Sequence, residues 1–136
     1  MGIRKIVVAA ALLAAVTTTA GVAHAGFKSF YAATVVKNAD GSGRAYGSMG
    51  TARNSANNVE YVICYTQGWA TGTAHGTCLV RNSASEVAMC SATSDSQLNA
   101  IRSASTDSYV YFDFDTTGAC TYLYVANGSS HEPKVP

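Results

Sequence analysis

Four cysteines, Cys64, Cys78, Cys90 and Cys120, lie behind an N-terminal segment of export type. Where the chain matures decides whether they become crosslinks. Arg4 and Lys5 make a positive start, Ile6 to Val16 is an unbroken apolar run, and Ala23-His24-Ala25 puts small residues at the −3 and −1 positions of a signal peptidase. The predicted cut falls before Gly26. The apolar run is shorter than the roughly 20 residues that cross a bilayer. The sequence thus predicts a signal peptide over 1–25, a single secreted domain over 26–136 (extracellular, cell surface or periplasm) and no membrane span.

An even cysteine count in a short exported chain reads as disulfides. The intervals of 14, 12 and 30 positions contain no close pair of the C-x-x-C kind, so a cysteine zinc site is not expected, and neither is any other metal or cofactor. Four cysteines allow three connectivities, and sequence alone does not choose among them. Cys64–Cys78 with Cys90–Cys120 is the preferred set. A short first loop and a long second one are similar to the two disulfides of the bacterial subtilisin-inhibitor family. The resemblance covers cysteine positions only. That family's Pro-rich first loop is missing, and Cys90 is followed by Ser91-Ala92-Thr93-Ser94-Asp95, not by a Pro-flanked reactive segment. What the resemblance implies is limited to connectivity.

Charged residues make up 12% of the chain, against roughly 25% in an average soluble protein. Without Arg4 and Lys5 the formal net charge drops from +1 to −1. Such a chain has no electrostatic footprint for nucleic acid or for an acidic membrane. Its surface also resists self-association only weakly.

The fold class expected is mainly β: a small antiparallel sandwich or rolled sheet with one short helix and two disulfides. Strands are expected over 27–37, 44–52 (weak and glycine-bearing), 59–67, 78–81, 86–92, 109–114 and 119–126, with a loop over 67–77. Ser94, with Gln97 three residues on and Leu98 and Ile101 beyond, predicts a capped helix over 95–103. Asp115-Thr116-Thr117-Gly118 suits a type I turn followed by a left-handed glycine. The favoured hairpin register sets Phe114 against Cys120, Phe112 against Tyr122 and Val110 against Tyr124. A slip by one would instead stack Tyr109 and Tyr111 on Tyr124 and Tyr122 in an exposed ladder. Residues 127–136 read as a polar tail.

Few residues suggest chemistry. His75 and His131 remain once His24 leaves with the signal, and His75 lies in the expected glycine-rich loop. A ribonuclease-like site would draw on Glu60, Glu86, His75, Arg53 and Arg81, but no spacing singles these out. No G-x-S-x-G elbow is present. Asp113 and Asp115 mimic the start of a calcium loop, yet Tyr124 stands where a bidentate Glu is needed. Asn127-Gly128-Ser129 matches a glycosylation triplet. Trp69, the single tryptophan, is either a plug over the core edge or, with His75, a binding contact. Eight tyrosines suit half-buried strands and equally a contact surface.

The leading expectation is therefore a non-enzymatic exported protein. It would be a structural or adhesive component of an envelope, coat or matrix, or a binding module, with an extracellular protein or a glycan as partner and self-association possible. The alternatives are an inhibitor of an extracellular hydrolase acting through 67–77, and a small secreted hydrolase such as a ribonuclease.

Overall fold

Two antiparallel sheets form as the alternation of side chains demands. The computed structural model describes residues 26–133; residues 1–25, where a signal peptide is expected, and the last three residues lie outside them. The elements run β1 (Thr34–Lys37), β2 (Gly43–Ser48), α1 (Met49–Asn54), β3 (Tyr61–Gly68), β4 (Ala74–Arg81), β5 (Val87–Ala92), α2 (Asp95–Arg102), β6 (Tyr109–Phe114) and β7 (Cys120–Ala126). The larger sheet has the order β1-β2-β6-β7 and the smaller β3-β4-β5. Each helix carries the chain from one sheet to the other, α1 outward from β2 to β3 and α2 back from β5 to β6.

The core lies between the sheets. From the larger come Ala45, Val110 and Phe112, and from the smaller Cys78, Val80, Cys90 and Ala92, all wholly buried. Small side chains dominate this list, so apolar burial is modest and covalent bracing counts for more. Cys64–Cys78 joins directly opposed residues of β3 and β4, 4.1 Å apart at Cα. Cys90–Cys120 joins β5 to β7 and so ties one sheet to the other. Beside it, Ser91 N–H donates to Gly118 O at 2.9 Å, and Ser91 and Ala119 make a short parallel bridge.

The four hairpins share one turn design. At Asn38–Ser42, Trp69–Thr73, Asn82–Glu86 and Asp115–Ala119, the first N–H donates to the fifth carbonyl and the fourth N–H to the first carbonyl. The fourth residue sits at positive φ each time: Gly41 at 91°, Gly72 at 84°, Ser85 at 67° and Gly118 at 81°. This is the type I turn with a left-handed fourth residue that was expected for the last hairpin.

Several expected boundaries move. The weak strand over 44–52 stops at Ser48 and gives way to α1. That helix is held by tertiary contacts: Met49 N–H donates to Ser108 O at 2.9 Å, and Gly50 lies so near Glu132 that a Cβ there would meet its carbonyl oxygen. The loop expected over 67–77 is mostly strand, with only the Trp69–Thr73 turn between β3 and β4. Gly76 looks like loop material, but it sits in β4 under α2, where a Cβ would come within 2.5 Å of Ile101 Cδ1. The polar end is also tied down. Ser29 N–H donates to Ser130 O at 2.7 Å, and Ser29 pairs with His131.

Candidate binding surface

The outward side of the larger sheet carries an aromatic face, built from strand alternation and one irregularity. In β6, Val110, Phe112 and Phe114 point to the core, so Tyr109 and Tyr111 point away from it. In β2, Tyr46 stands opposite Tyr111. In β7 the outcome depends on a bulge. Phe114 pairs with Cys120, but Asp113 pairs with Tyr122 and Tyr111 with Tyr124, which leaves Thr121 without a partner. The favoured register thus holds only at the turn. Past Thr121 the pairing slips by one, and Leu123, not Tyr122, faces Phe112. The bulge re-aims the strand and puts Tyr122 and Tyr124 on the outward face, 52% and 47% exposed.

The rings contact one another there. Tyr46 stacks on Tyr111 with centroids 6.0 Å apart and planes 14° apart. Tyr122 meets Tyr111 edge-on at 5.9 Å, and Tyr124 meets Tyr109 edge-on at 6.3 Å. Tyr31 leans on Tyr109 at 4.7 Å, and His131 stacks on its ring at 5.8 Å. Tyr109, Tyr111, Tyr122 and Tyr124 line a shallow, open depression of about 320 Å³. At its polar end the Tyr111 hydroxyl donates to Asp113 Oδ1 at 2.9 Å. Arg44 stands opposite Asp113 in the sheet register, so the face carries one charge of each sign.

The electrostatics follow from this crowding. Burial, then the neighbouring phenols Tyr31, Tyr46, Tyr111 and Tyr124, push the Tyr109 hydroxyl up to about 12. Burial and the bond to Asp113 also raise Tyr111. Both hydroxyls stay protonated at neutral pH; the Tyr111 proton is given to Asp113, so at the ring-lined hollow Tyr109 offers a donor and the Tyr111 oxygen an acceptor.

The chain matches no family model, no curated protein and no solved structure. Its likeness to the subtilisin inhibitors remains one of cysteine positions.

The residues singled out from sequence are scattered. Trp69 stands at the tip of the β3–β4 turn, 53% exposed, so it does not plug the core. It meets His75 edge-on at 6.4 Å. Glu60 accepts from Asn57 Nδ2 at 3.0 Å, and Glu86 accepts from Asn82 Nδ2 at 2.7 Å inside the β4–β5 turn. Arg53 and Glu60 share a depression beside α1, but His75 does not line it. Asp115 Oδ1 accepts from Thr117 N–H, Thr117 Oγ1 and Ala119 N–H, so its own turn uses the carboxylate, and these bonds hold its pKa below the usual range. Asn127 is engaged as well: its Nδ2 donates to Ser103 O at 2.8 Å and its Oδ1 accepts from the Ser108 hydroxyl. Among the described residues, no three His, Cys, Asp or Glu side chains converge to hold a metal. No helix among them is long and apolar enough to cross a membrane.

From sequence, an exposed tyrosine ladder is expected only in the less favoured register; the bulge at Thr121 brings Tyr111 to Tyr122 and Tyr109 to Tyr124. Alternation in β6 was visible; the one-residue slip in β7 has no local marker. His131, set aside as part of a tail, is a wall of the aromatic cluster.

Proposed function

We propose that this is an exported, non-catalytic binding module, and that its outward tyrosine face holds a neutral, hydroxyl-rich glycan. The observation that carries this reading is the depression lined by Tyr109, Tyr111, Tyr122 and Tyr124. Flat aromatic faces suit the apolar face of a sugar ring, while the phenols, Asp113 and Arg44 supply donors and acceptors for its hydroxyls. One charge of each sign favours an uncharged ligand over an ionic one. The open shape suits a chain lying across the sheet better than an enclosed small molecule. The two disulfides and the export-type N-terminus support action outside the reducing cytosol.

Co-sedimentation of the oxidised mature chain with insoluble polysaccharides, such as cellulose, chitin and peptidoglycan, tests the reading. Tyr122→Ala and Tyr124→Ala should each weaken capture about tenfold, the effect of losing roughly 1.4 kcal/mol of contact. Tyr61→Ala on the smaller sheet should leave it unchanged. Failure of every polysaccharide to retain the protein, or equal loss with all three variants, overturns the proposal. The exposed Trp69 favours one second reading, inhibition of an extracellular hydrolase through the β3–β4 turn. Tight enzyme binding that disappears in Trp69→Ala would point there instead.

A further inference from the structure

We propose that the free edge of β3 pairs with β3 of a second copy, joining two smaller sheets into one six-stranded antiparallel sheet. The inference starts from the Cα separation of 4.1 Å between Cys64 and Cys78. So short a spacing marks a non-hydrogen-bonded pair, in which backbone N–H and C=O point away from the partner strand. Val62, Cys64 and Thr66 therefore aim their backbone groups away from β4. Among the described residues, no further backbone bond is made to these three.

The other three edges are protected and β3 is not. β1 has four residues and ends on Lys37. β5 is bridged at Ser91 to Ala119. β7 carries the Thr121 bulge, and its Cys120 carbonyl accepts from Gln97 Nε2 of α2 at 2.7 Å. β3 has eight residues, Tyr-Val-Ile-Cys-Tyr-Thr-Gln-Gly, with no charge and no proline, and its register to β4 is unbroken. Charges, prolines, bulges and short length are among the devices that keep edges apart, and β3 lacks these four, although α1 and α2 both pack against the strand.

The sequence of β3 also fits a copy of itself. A two-fold pairing centred on Cys64 sets Val62 against Thr66 of the second copy and Cys64 against Cys64. That matches all three outward positions, for about six backbone hydrogen bonds. On the outer face it sets Ile63 against the second copy's Tyr65, twice, an aromatic–β-branched pairing that stabilises sheets. Ile63, Tyr65 and Met89 are exposed in the single chain. The Cys64–Cys78 link already holds the strand in place, so little conformational freedom is lost on pairing. The contact is small against the roughly 1,200–2,000 Å² of a stable interface, so it forms at high protein concentration or on a crowded surface.

Sedimentation velocity of the oxidised chain from about 10 µM to 1 mM tests this, a range that brackets weak association. The mean mass should climb towards twice that of one chain. Thr66→Pro removes one outward N–H without touching the β4 ladder, and Ile63→Lys breaks both Ile63–Tyr65 pairs and sets two lysines diagonal to each other on the joined face. Each should weaken association at least tenfold, with the far-UV spectrum unchanged; if the proline variant misfolds, the exposed lysine variant decides. Tyr122→Ala, on the other sheet, should associate as the parent does, which separates this outcome from that of the glycan reading. A single-chain mass up to 1 mM, parental association in Ile63→Lys, or loss of association in Tyr122→Ala overturns the proposal.

Discussion

Raising the pH from 10 towards 12 should destabilise the protein through Tyr109. This tyrosine is surrounded by Tyr31, Tyr46, Tyr111, Tyr124 and His131, and its hydroxyl is pushed from the ordinary 10.0 to about 12. A folded-state value above the unfolded one means that folding favours the protonated form. The associated stability is fully present below pH 10 and is lost as the pH climbs towards 12. A gap of that size is worth at most about 2.7 kcal/mol; screening at a partly wet ring reduces it to about 1 kcal/mol. Urea unfolding between pH 8 and 12 should show this loss in the parent and a smaller one, left by Tyr111, in Tyr109→Phe. Absorbance at 295 nm should show two late-ionising phenols among the eight, Tyr109 and Tyr111. No free cysteine is present among the described residues, so thiolate exchange has no internal starting point in the alkaline range. If all the tyrosines titrate together, or if Tyr109→Phe loses as much stability as the parent over the same interval, the crowding argument is refuted.

Two further changes have signs set by geometry. Ser85 is the one described non-glycine residue at positive φ, a conformation that costs an L side chain about 1–2 kcal/mol. Against the extra freedom of an unfolded glycine, Ser85→Gly should stabilise by roughly 0.5–1 kcal/mol, read as a higher melting temperature; a lower one refutes the strain. Removing the disulfides pairwise with alanine should separate their roles. The chain-entropy relation gives about 3 kcal/mol for the loop of 14 and about 3.6 for the loop of 30. Cys90→Ala/Cys120→Ala should therefore lower the denaturation midpoint more than Cys64→Ala/Cys78→Ala, and the reverse order would contradict it.

What the sequence disclosed was what local chemistry governs. Ser94 caps α2 by accepting from Gln97 N–H, and Leu98 and Ile101 are buried as their spacing requires. Gln97 reaches back to Ser94, its Oε1 accepting from the Ser94 hydroxyl at 3.0 Å, and its Nε2 also donates to the Cys120 carbonyl. The cysteines pair in the preferred order because β3 and β4 are neighbours and the chain returns late to β7. What stayed hidden depends on distant partners. α1 is only six residues with buried Gly50 and Ala52, and it exists because the segment at Glu132 packs on it. Ala74 to Thr77 looked like loop because glycine and small residues mark turns, yet Gly76 is small to admit α2. The aromatic face needed both an unmarked slip in β7 and the return of His131.

The slip at Thr121 makes the display of two aromatic rings a matter of counting. A regular ladder that paired Thr121 with Asp113 would turn both rings inward against Phe112 and Val110, whereas deleting Thr121 would leave Tyr122 directly after Cys120, still opposite Asp113 and still outward. The surface therefore tolerates loss of the extra residue, and only a re-pairing of β7 that absorbs Thr121 into the ladder would hide the two rings.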